Sequence, residues 1–107
     1  MRGRPNKLLL NPKRFMIATV LYMRGPSTMA ELQRILGLSW GDLDSNIRRM
    51  RSEGYVETRK IIKSEGPRTL VYLTNKGLKA FTELLDYLEE VLRSLGRLSH
   101  GKESNRR

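Results

Sequence analysis

The chain has 107 residues, with 21 Lys and Arg against 11 Asp and Glu, a formal charge of +10. That length supports one domain with a modest core, and the excess charge points to a polyanionic partner. The absence of cysteine excludes disulfides, thiolate catalysis and Cys-based zinc sites. No apolar run approaches membrane-spanning length, and Leu8-Leu9-Leu10 is far too short for a signal peptide. A cytoplasmic, nucleoid-associated protein with no membrane contact is the expectation.

Residues 1–10 read as a basic N-terminal arm containing Arg2, Arg4 and Lys7 and no acid. Asn11-Pro12 is a helix start, with Asn as cap and Pro at the first helical position. This first predicted helix runs to about Met23 and stops at Arg24-Gly25-Pro26. Its apolar residues, from Phe15 and Met16 to Val20 and Met23, cover more than one face. That predicts burial against the domain on one side and against a second subunit on the other. Thr28-Met29-Ala30-Glu31 is a capping box opening a second helix through Leu36, and Gly37-Leu38 forms the turn. Ser39 then caps a third helix, with Asp42 and Asp44 where the helix dipole favours negative charge. Leu43, Ile47 and Met50 recur at helical spacing, and Gly54 ends the pattern. Two helices joined by a short glycine-containing turn form a helix-turn-helix arrangement.

Tyr55 to Ile62 is a β-prone run, Ser64-Glu65-Gly66-Pro67 is turn chemistry, and Thr69 to Leu73 is a second β-prone run. Thr74 caps a last helix reaching about Leu95. Residues 96–107, rich in Gly, Ser, Arg and Lys, are predicted to be a disordered basic tail. The predicted fold is mainly α with a small β-hairpin wing (α+β). It is a winged helix-turn-helix over residues 11–77 with a long C-terminal dimerisation helix over 74–95. Such a fold places one helix in a DNA groove and the hairpin on the flanking backbone.

Several short stretches carry a family resemblance. They are Asn11-Pro12-x-Arg14 with Ile17, Leu43-Asp44-Ser45-x-Ile47-Arg48, Gly54-Tyr55-Val56, Pro67-Arg68-Thr69, and Tyr72-Leu73-Thr74-x-x-Gly77. In this order and spacing the chain resembles the small winged-helix transcription regulators of the MarR/ArsR-like superfamily, particularly the compact kind common in archaea. The resemblance implies a homodimeric DNA-binding repressor or activator with the third helix as reader. Metal-sensing members of that superfamily carry Cys/His clusters. This chain has no cysteine and one histidine, so neither a metal site nor a cofactor is expected.

The candidate reading residues follow from placing Ile47 at the centre of the buried face. The opposite face is then Gly41, Asp42, Ser45, Arg49 and Ser52, with Arg48 on its edge and Ser39 at the helix start. Small side chains admit the helix to the groove, Arg can grip guanine with two hydrogen bonds, and Ser can pair with several bases. Asp42 is read as a helix-start partner rather than a cytosine reader. Trp40 is read as an anchor of the helix start to the core. On the wing, Lys63 and Arg68 flank the turn and suit phosphate contacts. Arg59 and Lys60 point to opposite sheet faces, so at most one of them joins. Arg2-Gly3-Arg4-Pro5 resembles an AT-hook core, although electrostatic tethering is the expected role for Arg2 and Arg4.

In the last helix Leu78, Phe81, Leu85, Leu88, Leu92 and Leu95 are spaced 3, 4, 3, 4, 3, a heptad seam suited to a partner helix. Enzyme chemistry fails on inventory. His100, the one histidine, lies in the basic tail, and Glu83, Asp86, Glu89 and Glu90 read as the solvated side of a helix. The expectation is a sequence-specific regulator that binds double-stranded DNA as a homodimer. The alternatives are a nucleoid-associated architectural protein with little sequence preference, or a winged-helix protein-interaction module. The operator, the sign of regulation and any small-molecule effector stay open.

Overall fold

The computed structural model describes residues 4–105, with side chains through residue 97. In chain order the elements are α1 (Lys7–Leu10), α2 (Pro12–Arg24), β1 (Ser27–Thr28), α3 (Met29–Leu36), α4 (Trp40–Ser52), β2 (Val56–Lys63), β3 (Gly66–Leu73) and α5 (Asn75–Asn105). The helix starts form where local side chains satisfy the first free N–H groups. Asn11 accepts from Lys13 and Arg14, with Pro12 next in line. Thr28 and Glu31 bond reciprocally, completing the capping box. Ser39 accepts from the Asp42 amide at 3.1 Å. Gly37, at φ 67°, closes α3 in the left-handed conformation and turns the chain into α4.

The three strands form one antiparallel sheet in the order β1-β3-β2. The hairpin pairs continuously from Val56↔Leu73 to Lys63↔Gly66, so the connecting turn is Ser64-Glu65 alone. This corrects the four-residue turn expected over 64–67, because Gly66 and Pro67 belong to β3. A two-residue hairpin closes on a hydrogen-bonded pair, so the next pair, Ile62↔Pro67, is a non-hydrogen-bonded one. The proline nitrogen therefore faces away from β2, and β1 reaches β3 only at Leu70 and Val71. No ladder bond is lost there.

One core joins every layer. Ile17 and Leu21 of α2, Leu32 of α3, Leu43 and Met50 of α4, Val56 and Val71 of the sheet, and Phe81 and Leu84 of α5 are all buried. The Phe81 ring packs 5.8 Å from that of Phe15 and 5.3 Å from that of Tyr22. Where α5 begins, Thr74 donates its hydroxyl to the Gly54 carbonyl at 2.5 Å and accepts from the Gly77 amide at 3.0 Å. The approach is so close that a Cβ on Gly77 would stand 1.9 Å from the Tyr55 carbonyl oxygen. The start of α5 is thereby pinned to the junction between α4 and β2.

Both ends differ from expectation. Residues 1–10 are not all arm, since Asn6 caps α1, Leu9 is buried in the core, and Asn6 donates to the Tyr55 hydroxyl at 3.0 Å. Burial of one leucine and a capped turn are enough to fold this segment onto the domain. At the other end α5 passes the expected stop at Leu95 and remains helical through Asn105, so the predicted disordered tail is largely helix. A nucleated helix extends at little cost per residue, and an isolated glycine such as Gly96 costs only about 1 kcal/mol relative to alanine.

Candidate nucleic-acid interface

The exposed side of α4 is decided by four inward residues. Leu43, Ile47 and Met50 are buried as the apolar spacing requires, and Asn46 is buried with them. Asn46 donates to the Asp42 carbonyl at 2.8 Å and accepts from the Arg14 guanidinium at 2.8 Å. The same guanidinium donates its Nε–H to the Leu8 carbonyl at 2.7 Å. Burial lowers the pKa of Arg14, and the nearby charge of Arg49 lowers it further. A second tie joins Lys13 Nζ to Asp42 Oδ2 at 2.6 Å. That bond holds the Asp42 carboxyl below the usual carboxylate range. Asp42 is thus spent on α2.

Burial of Asn46 rolls the outward face of α4 by roughly 50° from the one expected on Ile47 alone. Gly41, Ser45, Arg48 and Ser52 now occupy its centre, all exposed. Arg49, expected near the centre, moves to the edge beside α2, and Arg48 moves inward from the edge. Apolar periodicity could not show this, because the residue responsible is polar. Trp40 is a further correction: it is 55% exposed and does not anchor the helix start. The Ser39 cap and the Lys13–Asp42 pair already hold that turn.

The site residues differ in how much of their chemistry is free. The Ser39 hydroxyl is engaged as the cap, and Ser45 donates to the Asp42 carbonyl at 3.2 Å. A Cβ on Gly41 would meet nothing within 4 Å. Arg48 uses its Nε for Asp44 at 3.0 Å, and its side chain is still 79% exposed. Arg49 has no acidic partner among the described residues. On the wing, Lys63 is exposed, while Arg68 is half-buried and donates to the Pro67 carbonyl at 2.9 Å. Both charges lower the pKa of Glu65 at the hairpin tip, although its bond with Ser64 is the larger cause. Arg4 is exposed, and Arg2 lies outside the described residues.

Between α4 and the wing runs a groove of about 290 Å³ whose lining includes Asp44, Arg48, Arg51, Lys60 and Thr69. Of the two strand cations, Lys60 is the one on this side, its ammonium donating to Thr69 at 2.8 Å. Arg51 also pairs with Glu57 at 3.1 Å. Arg51 is a groove cation absent from the sequence-based candidates, and Lys60 is the one of the two strand cations left open there that lines the groove. The available signals were the position of Arg51 one turn after Arg48 and the alternation that puts Lys60 on the same strand face as Val56.

The face of α5 expected to meet a partner helix divides in two. Phe81 is fully buried inside the domain, with Leu84 beside it, so Phe81 is unavailable to a partner. Leu85 and Leu88 pack partly on the core, whereas Leu78, Leu92 and Leu95 remain 43%, 68% and 56% exposed.

A capped helix with an exposed Arg–Ser–Gly face, beside a cationic hairpin, is the geometry of a DNA-binding domain, and residues 13–92 match the family described as a winged helix DNA-binding domain. The chain belongs to this family. The chain is 34% identical to a transcriptional regulator homologue from Pyrococcus horikoshii OT3, with 84% of this chain and 89% of that one aligned and a TM-score of 0.79. An uncharacterized protein of Methanocaldococcus jannaschii is 29% identical over 86 residues, 80% of this chain and 90% of its own length. A PadR-family transcriptional regulator from Eggerthella lenta shares the fold, at 21% identity and a TM-score of 0.65 over 86% of this chain and 88% of that one. No helix among the described residues is long and apolar enough to cross a membrane.

Proposed function

We propose that this winged-helix protein is a transcriptional regulator that reads specific duplex DNA as a homodimer. The observation that carries the reading is the outward face of α4, where exposed Arg48 stands among Gly41, Ser45 and Ser52. Nothing bulky there keeps the helix from base edges, and the free Nη groups of Arg48 suit guanine O6 and N7. Arg49 at one edge, and Arg51 and Lys60 across the wing groove, are placed to hold the phosphates on either side. Lys63 and Arg68 extend that contact at the wing, and the basic N-terminus adds charge.

The homodimer is supported by the distal half of α5. Leu92 and Leu95 project from a helix that has already left the core. Pairing with a second α5 is the closed, two-fold way to remove that stripe from water. Two reader helices would then address a palindrome or near-palindrome, with half-sites about 10 base pairs apart or a multiple of it.

The test is selection of duplexes from a random-sequence pool, followed by affinity measurement on the selected duplex and a scrambled one. A regulator shows a gap of about 4–10 kcal/mol between them. Equal binding would favour the architectural reading, for which the acid-free stretch of residues 1–14 is the supporting observation.

A further inference from the structure

We infer that Trp40 is a base-reading residue, packing its indole on the C5-methyl group of a thymine in the major groove. The inference deepens the reading of α4 as the groove helix and rests on it. Trp40 is the first residue of α4, and it is the one large hydrophobic side chain of that helix left substantially exposed. The helix start is held by other groups. Ser39 caps the turn, Lys13 binds Asp42, and the core is filled by Leu43, Ile47 and Met50.

Its surroundings select the ligand. Gly41 beside it has open space where a Cβ would be, so the backbone at this end can come close to base edges. Ser39, Asp44 and Ser45 nearby are exposed and polar, so the ring has hydrophilic neighbours on its own helix. Among the groups that base pairs display in the major groove, the thymine methyl is the apolar one. The N-terminal turn of the reader helix is the part that contacts base edges in helix-turn-helix complexes.

Spacing adds a positional expectation. Trp40 and Arg48 are eight residues apart, about 12 Å along the axis of α4 and about 80° apart around it. Because the two side chains diverge around the helix, the thymine should belong to a different base pair from the guanine held by Arg48.

The experiment uses the full chain and the duplex it selects from a random pool, with each thymine replaced in turn by uracil, which lacks only the methyl. Wild type should lose about fourfold in affinity at one position per half-site, the worth of one buried methyl. In Trp40→Ala, assayed at low salt so that phosphate contacts keep binding measurable, the thymine and uracil duplexes should bind equally. Trp40 is the sole tryptophan, so its emission reports the contact directly and should change on saturation with the selected duplex. The inference is overturned by the absence of any uracil penalty, by a penalty that persists in Trp40→Ala, or by emission that ignores DNA. Each of those results leaves α4 as the groove helix. Failure to select any duplex would remove that underlying reading and this inference with it.

Discussion

Arg14 of α2 donates to Asn46 of α4 at 2.8 Å, a polar tie on the buried face of α4 beside Leu43, Ile47 and Met50. Arg14→Ala would strip donors from both Asn46 and the Leu8 carbonyl. Unsatisfied groups of this kind cost about 1–3 kcal/mol. Urea denaturation should show a loss of that size, and DNA affinity should fall although Arg14 is not itself a reader. An unchanged midpoint would mean that the apolar contacts of α4 set its orientation alone.

Two glycines of α5 should respond in opposite directions to the same substitution. Gly77→Ala drives a Cβ to 1.9 Å from the Tyr55 carbonyl oxygen, a backbone atom that cannot rotate aside. The expected cost is about 3 kcal/mol, at the upper end for overpacking. Gly96→Ala meets nothing within 4 Å and should stabilise the helix by up to about 1 kcal/mol. Thermal melts of the two variants, run side by side, provide the check.

Arg48→Ala should relax base preference and cost about 1–3 kcal/mol on the selected duplex, with little change on a scrambled one. Arg68→Ala should weaken both duplexes similarly and flatten the salt dependence, because a phosphate contact carries little sequence information. Equal losses on both duplexes for Arg48→Ala would move that residue from reader to clamp.

For the dimer, the informative pair is Leu92→Arg with Leu95→Arg. Leu88 also packs on the core, so replacing it would mix folding with association. The double variant should be a folded monomer that binds one half-site weakly. Sedimentation velocity at micromolar concentration decides, and a monomeric wild type would refute the paired arrangement.

Acid should loosen the helix-turn-helix unit through Glu31. The Thr28 backbone and hydroxyl hydrogen bonds hold the Glu31 carboxyl below its ordinary 4.5. A carboxylate depressed in the folded state contributes stability above its unfolded pKa and loses it as pH falls through the folded value. Stability should therefore decline below about pH 4.5. Glu31→Gln keeps an acceptor for Thr28 but cannot titrate, so its denaturation midpoint should vary less over that range.

The elements could be read from the sequence wherever a local rule produced them. The capping box at Thr28 and Glu31, the Asn11-Pro12 start and the Ser39 cap each depend on residues within one turn of each other. The misplacements arose where distant groups decide. Asn46 is buried where Arg14 meets it from α2. Leu9 is covered only because α1 folds back toward Tyr55. Phe81 satisfies a heptad and a core position equally well, and only the aromatic pair Phe15 and Tyr22 shows which role it takes. The exposure of Trp40 was likewise hidden, since composition favours burial and the cap that makes it unnecessary lies one residue away.

The wing has one further property. β2 is an edge strand eight residues long, and such an edge presents unpaired backbone groups to any other strand that drifts near. Arg59, Lys60 and Lys63 are exposed along it, and the missing N–H of Pro67 blunts the opposite margin of the hairpin. Like charges keep such edges apart when many copies crowd together. Replacing the wing lysines with neutral residues would then do more than lower the positive charge of the wing: it would leave the hairpin prone to strand-to-strand self-association. The cations that suit this strand to a polyanion are also what keeps it from recruiting its own kind.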